Sequence, residues 1–188
     1  MNKIIEIINK HNSKFIYRGV PNKDYKLLPS LHRDPSLGGV GDYGNFYEDF
    51  IKEISKEFKG LFNGTEIFLL EYMQHFDIKT NLLDFTRNIC VALYFACNEK
   101  YDSDGKLYIL NQTKYEEFLK NKNIPSSKFN ISSDNILKYF KNYNDNGVII
   151  EDGVGITFPI IIEAAKKFDR IINQEGLFML WGSEINSL

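Results

Sequence analysis

A chain of 188 residues is long enough to bury its own core and short enough to form a single domain. Its composition is ordinary for a globular protein, and a formal net charge of −2 gives no overall electrostatic footprint for nucleic acid. No apolar run approaches the ~18 residues of a membrane span, and the first residues lack a secretory signal, so we expect a cytoplasmic protein without membrane partners.

The first part of the chain predicts helices around one short strand. Isoleucines at helical spacing indicate a helix over residues 2–11, and the apolar run 15–20 indicates a strand. A stretch with three prolines and three glycines follows, and its length suggests a lid or crossing segment. Apolar residues spaced by three or four then predict helices over 44–62 and 66–76.

The middle of the chain holds its most apolar segment. Residues 77–86 are predicted to form a loop with buried leucines, whereas residues 88–98 predict a helix that is apolar all round. A helix of that kind is typical of a buried position, so we expect it at the centre of the fold. Cys90 and Cys97 lie about two turns apart on it, which is too far for a disulfide, and are expected to be core thiols.

The last part of the chain alternates short strands with helices. Pro159 favours an edge position for the strand that contains it. Unequal helices without a regular βαβ rhythm predict an α+β fold, with a mixed, mostly antiparallel sheet and packed helices. Residues 112–146 are expected to be a surface helical insertion. The predicted elements are a turn at Asp104-Gly105, a strand at 106–110, two helical pieces within 112–143, and strands at 147–151, 156–162 and 177–181.

Seven short motifs, taken in order, resemble the FRG domain, a family of bacterial and phage-associated proteins. They are Phe15–Gly19, Leu28–Arg33, Met73–His75, Thr80–Thr86, Val91–Ala96, Asp104-Gly105 and Arg170–Phe178. Each motif is weak alone, but the ordered set is specific and implies one FRG-like domain over residues 1–188. The chain departs from the family at Asn81 and Phe85, where the family commonly has arginine and tryptophan.

A more distant likeness is to ADP-ribosyltransferases of the Arg-Ser-Glu type. Those proteins open with a Tyr-Arg-Gly-like strand whose arginine helps to hold NAD, and they place a glutamate at the start of a late strand. Arg18 and Glu175 match these features, although Glu175 comes one residue early and Gly176 occupies the expected place. The resemblance implies an ADP-ribosyltransferase-like fold that binds NAD and needs no metal. The candidate residues of the binding site are Tyr17, Arg18, Gly19, Gln74, Thr80, Asp84 and Thr86, and the candidate catalytic residues are Glu175, Gln174 and His75.

Arg18 is the residue from which the functional prediction starts. A guanidinium within an apolar strand needs a carboxylate, a phosphate or water, because burying it unpaired is costly. Its planar fork suits a pyrophosphate. A structural ion pair with Asp84 is the alternative, and Asp84 is expected to orient an arginine rather than to touch the ligand.

The other candidates also have two interpretations. His75 can act as an acid or base or bind a ribose hydroxyl, or it simply ends a helix whose dipole favours a histidine there. Thr86 or Asn88 caps the helix at 88–98. The functional alternative is a polar pocket mouth at the helix N-terminus, flanked by Thr80, Asp84 and Thr86, where phosphate binds readily. Gln174 and Glu175 either bind a ribose and stabilise its developing positive charge, or are turn residues before Gly176.

Three hypotheses follow. The first is an ADP-ribosyltransferase-like toxin or effector in anti-phage defence, with a protein or nucleic-acid acceptor and an antitoxin or defence-system partner. The second is a non-catalytic sensor that binds a nucleotide or a partner. The third is a nuclease that uses Asp77, Lys79 and Asp84 around a metal, but their spacing matches no two-metal pattern.

Overall fold

The fold is described from a computed structural model, over residues 14–33, 66–98, 102–121, 159–164 and 168–181. The strands are β1 (Phe15–Val20), β2 (Leu82–Thr86), β3 (Lys106–Asn111), β4 (Ile160–Glu163) and β5 (Gly176–Leu180). The helices are α1 (Glu66–His75), α2 (Ile89–Cys97), α3 (Gln112–Asn121) and α4 (Asp169–Asn173), with one 3-10 turn at Leu31–Arg33.

The five strands form one sheet in the order β3-β1-β2-β5-β4. β1 runs antiparallel to both of its neighbours, with Tyr17 opposite Thr86 on β2. Main-chain bonds from Trp181 to Asn81 and from Arg87 to Glu175 show that β2 and β5 also run antiparallel. The α+β prediction is therefore confirmed. Among the described strands, β4, which begins directly after Pro159, lies at the edge of the sheet, as predicted.

The chain divides into two compact units, each of which is described by itself. The first unit contains β1, α2, β3, α3 and α4, and the second contains α1 and β4. The boundary between the units falls after Leu83 in β2 and after Leu177 in β5. A single domain over residues 1–188 stays a prediction.

In the first unit, α2 lies directly on the backbone of β1. A Cβ atom added at Gly19 would come within 1.7 Å of the Ala92 carbonyl oxygen, and one at Gly105 within 2.0 Å of the Ala96 carbonyl oxygen. Ala92 and Ala96 are four residues apart, so they share one face of α2, and both are buried. The glycine of the Tyr-Arg-Gly motif is thus required because a helix backbone occupies the space of a side chain.

The expectation that this helix is buried all round was wrong. Tyr94 is 57% exposed and Phe95 is 40% exposed, and both Cys90 and Cys97 are exposed thiols rather than core residues. Only the stripe of small residues packs on the sheet, because only that face allows the two backbones to approach so closely. Apolar composition alone does not distinguish the packed face from the exposed one.

The segment before α2 is a strand, not the predicted loop. Leu82 and Leu83 are buried, as expected, but they belong to β2, which lies between β1 and β5. Four of its five residues are buried, so the strand lacks the alternation by which a half-exposed strand is recognised. Its pairing comes from strands far away in sequence, which a local pattern does not reveal.

Several other elements agree with the sequence. The structure confirms β1, β3 and α1, and it places α3 at the start of the predicted helical region, with Tyr115 and Leu119 buried. The short helix α4 was not predicted. The predicted helices at 2–11 and 44–62, the second helical piece before residue 143 and the strand at 147–151 lie outside the described residues.

Candidate functional site

Arg18 is held by the neighbouring strand. Its Nη1 donates a hydrogen bond to the main-chain oxygen of Asp84 at 2.7 Å and lies 3.8 Å from the Asp84 carboxylate. Gly19 faces α2, and because consecutive strand residues point to opposite faces, Arg18 projects from the other face of β1. The side chain is 20% exposed, so the guanidinium is neither loose in solvent nor sealed.

The carbonyl oxygen is the shorter of these two contacts, and the carboxylate is at the long end of the range for an ion pair. The Asp84 side chain is 51% exposed, and exposed pairs contribute little to stability. The ion pair with Asp84, the alternative given from the sequence, is therefore present, and the bond to the main-chain oxygen is the shorter contact. Both contacts place the positive charge beside the middle of β2.

The turn between α4 and β5 is fastened to the end of β2. The Thr86 hydroxyl donates to the main-chain oxygen of Gln174 and accepts from the main-chain N–H of Asn88. The main-chain N–H of Arg87 donates to the oxygen of Glu175 at 3.1 Å. Residues 86–88 and the Gln-Glu pair are thus adjacent, although almost ninety positions separate them in sequence.

Asn88 is the N-cap of α2, which settles the choice between Asn88 and Thr86. Its Oδ1 accepts from the main-chain N–H of Cys90 at 3.0 Å, while its Nδ2 donates to Oε1 of Glu175 at 3.2 Å. The Glu175 carboxylate therefore lies at the positive end of the α2 dipole, where a negative charge is stabilised. Glu175 is exposed and has a φ of 48°, in the left-handed region.

Tyr17 is a core residue next to Thr86. It is buried, it lies opposite Thr86 across the β1–β2 pair, and its ring is near that of Phe15. Burial raises the pKa of the Tyr17 phenol, so the hydroxyl stays protonated at neutral pH. Its predicted contact with a cofactor stays a prediction.

The remaining candidates belong to the second unit. The Thr80 hydroxyl donates to Oε1 of Gln74 at 2.8 Å and accepts from the main-chain N–H of Leu82 at 3.2 Å. The main-chain oxygen of Thr80 accepts from the Ser30 hydroxyl. His75 ends α1, and its ring lies edge-on to that of Phe76. Gln74 and Thr80 thus bond to each other within a packed polar cluster, whereas Arg18, Asp84, Thr86, Gln174 and Glu175 belong to the first unit.

Sequence reasoning missed the contact between Asn88 and Glu175. A local signal marked Asn88, since an asparagine directly before an apolar helix is typical of an N-cap. No local signal marked its second partner. Among the residues that the structure describes, no group of three or more His, Cys, Asp or Glu could hold a metal ion, so Asp77 and Asp84 gain no support for the nuclease hypothesis.

Comparison with known protein families finds a match. The model of the family described as FRG domain matches residues 13–105, a segment that contains Arg18, Asp84 and Asn88 but not Gln174 or Glu175. No curated protein and no solved structure matches the chain. Within the described ranges, none of the helices is long and apolar enough to cross a membrane.

Proposed function

We propose, for a chain that contains an FRG domain over residues 13–105, an ADP-ribosyltransferase-like activity: binding of NAD or a related nucleotide and transfer of ADP-ribose. Its role would be that of a toxin or effector in bacterial anti-phage defence. The observation that supports this best is the strand order β1-β2-β5. β2 has β1 and β5 as its two neighbours, and the Tyr-Arg-Gly strand, the end of β2 and the Gln-Glu turn belong to one unit.

Arg18 is the proposed anchor for the pyrophosphate. Its Nη1 donates to the carbonyl oxygen of Asp84, and the side chain is 20% exposed to solvent. A planar guanidinium can bind two phosphate oxygens at once, which a lysine cannot do. The Asp84 carboxylate, 3.8 Å away, acts on the arginine and not on the ligand, since two anions would repel each other.

Glu175 is the proposed catalytic carboxylate. Cleavage breaks the bond between C1′ of the ribose and the nicotinamide nitrogen, and the electron pair leaves with the nicotinamide. Positive charge then develops on the ribose, and an exposed carboxylate beside it lowers the barrier. A nucleophile of the protein or nucleic-acid acceptor forms the new bond to C1′ and loses its proton to solvent. Gln174 would bind a ribose hydroxyl, and this mechanism does not depend on Gln74, His75 or Thr80.

The test measures binding and turnover of labelled NAD by the purified chain. Arg18→Ala should weaken binding roughly 10- to 100-fold, as expected for loss of charge-assisted hydrogen bonds of about 1.5–3 kcal/mol. Glu175→Gln should reduce turnover on the order of 100-fold with little change in affinity. Arg33→Ala and Glu117→Gln are matched controls, because both side chains are exposed and lie outside the cluster. Absence of NAD binding and of transfer to protein or nucleic acid by the wild type would refute the proposal.

A non-catalytic sensor is the second candidate, and one observation favours it. Glu175 lies in a left-handed turn and bonds to Asn88, while Gly176 opens β5 at the place where the resemblance calls for a glutamate. Such a module would bind a nucleotide and signal through a defence-system partner. It predicts that both nucleotide binding and protection against phage survive Glu175→Gln. Loss of protection in a variant that still folds and binds would argue for the enzyme.

A further inference from the structure

We propose that Asn88 is a positioning residue that sets the place of the Glu175 carboxylate. The inference rests on the proposed function, because Asn88 supports the glutamate that acts in that site. A single amide joins the start of α2 to the turn before β5. One of its atoms caps the helix and the other bonds to the carboxylate.

The cap determines how the amide is oriented. The Cys90 main-chain N–H can bond only to an acceptor, so the oxygen of the Asn88 amide must be the atom that lies 3.0 Å from it. The NH₂ group then points the opposite way, and Oε1 of Glu175 lies 3.2 Å from it. The donor is therefore directed at the carboxylate by the geometry of the helix N-terminus.

Three further contacts hold the backbone of the turn. Thr86 bonds to the oxygen of Gln174, Arg87 bonds to the oxygen of Glu175, and the N–H of Glu175 donates to the oxygen of Ile172. This set of bonds stabilises a glutamate in the left-handed region, where a residue with a Cβ atom costs roughly 1–2 kcal/mol. A residue held in such a conformation by its surroundings suggests a functional reason for its position.

Serine and aspartate separate the two roles of Asn88. Both cap helices about as well as asparagine does, so Asn88→Ser and Asn88→Asp keep the acceptor for Cys90. Serine lacks the donor that reaches Glu175, and aspartate replaces that donor with a like charge. A residue that only capped the helix would tolerate both changes.

The first experiment measures kcat and KM for NAD together with the melting temperature. We expect kcat of Asn88→Ser to fall roughly 10- to 100-fold, since small displacements of a reacting group have effects of that size. Asn88→Asp should lower kcat further. KM and the melting temperature should stay close to the wild-type values in both variants. Wild-type kcat in Asn88→Ser would overturn the inference, as would a fall in kcat that only accompanies a fall in melting temperature.

A second measurement needs no NAD. The side-chain NH₂ resonances of Asn88 are observed by NMR in the wild type, in Glu175→Ala and in the control Glu117→Ala. We expect them to move only in Glu175→Ala, and unchanged resonances in that variant would overturn the inference. If the wild type does not cleave NAD but the Asn88 resonances move in Glu175→Ala, the proposed function is refuted while the contact between Asn88 and Glu175 stands. Failure of the function and failure of the contact are therefore distinguishable.

Discussion

Replacement of Gly19 by alanine tests the contact on which the first unit is built. The added Cβ would lie 1.7 Å from the Ala92 carbonyl oxygen and 2.7 Å from the Ala96 main-chain nitrogen. An ordinary carbon–oxygen contact is about 3.3 Å, so β1 and α2 would have to separate by roughly 1.6 Å. Both atoms that collide with it belong to a helix backbone, which cannot change rotamer to make room.

We expect this substitution to cost about 3 kcal/mol or more, the upper end of the range for overpacked cores. For a chain of this size the melting temperature should fall by roughly 6–12 °C. Gly176→Ala is the matched control, because its Cβ would lie 3.2 Å from Cγ2 and 3.3 Å from the main-chain oxygen of Ile171, which a small shift relieves. That variant should lose no more than about 1 kcal/mol.

A third variant extends the test to the other glycine that α2 covers. Gly105→Ala should destabilise the protein as Gly19→Ala does, because its Cβ would lie 2.0 Å from the Ala96 oxygen. The double variant of Gly19 and Gly105 should lose less stability than the two single variants lose in sum, since one displacement of α2 relieves both close contacts. If Gly19→Ala and Gly176→Ala had the same melting temperature, the close packing of α2 on β1 would be refuted.

Two other predictions concern buried polar groups. Asn81, which is 2% exposed, donates to the main-chain oxygen of Trp181 at 2.7 Å, so Asn81→Ala should lower the free energy of unfolding in urea by about 1–3 kcal/mol. A urea midpoint equal to that of Asn22→Ala would contradict this, because Asn22 Oδ1 accepts only a solvent-exposed hydrogen bond from the main-chain N–H of Asp24. Burial raises the pKa of Tyr17 and of Tyr115, so the unfolded chain loses these protons first once the pH exceeds about 10. The stability that the two protonated phenols contribute below that pH should be lost as the pH rises. In thermal melts at alkaline pH, the melting temperature of Tyr115→Phe should therefore fall less steeply with pH than that of the wild type.

Local patterns predicted the elements whose signals lie within a few residues. β1 and β3 follow from short apolar runs, and α1 from its spacing and flanking turns. Pro159 marked an edge strand because a proline cannot donate to a neighbouring strand, and β4 does lie at the edge. The N-cap of α2 was also predictable to within two residues, Thr86 and Asn88. A cap bonds to main-chain groups two or three positions away, so its signal is local.

The candidate site could be predicted only in part. Arg18 was predictable as a site residue because a charge within an apolar strand requires a partner, and the Asp84 carboxylate was one of the two alternatives for that partner. The role of the Asp84 main-chain oxygen was not predictable, because every residue has such an oxygen. The pairing of Asn88 with Glu175 depends on β5 lying beside β2, which no spacing within either segment encodes.

Patterns in the chain were enough to predict the α+β class, most of the described elements and the arginine from which the functional proposal starts. Three features became evident only in the folded protein: residues 82–86 are a strand, α2 exposes Tyr94 and Phe95, and Asn88 bonds to Glu175. The difference lies in the distance over which each interaction acts. Propensity, capping and turn chemistry act between neighbours in the chain, whereas strand pairing and the choice of a buried face depend on surfaces that distant segments supply.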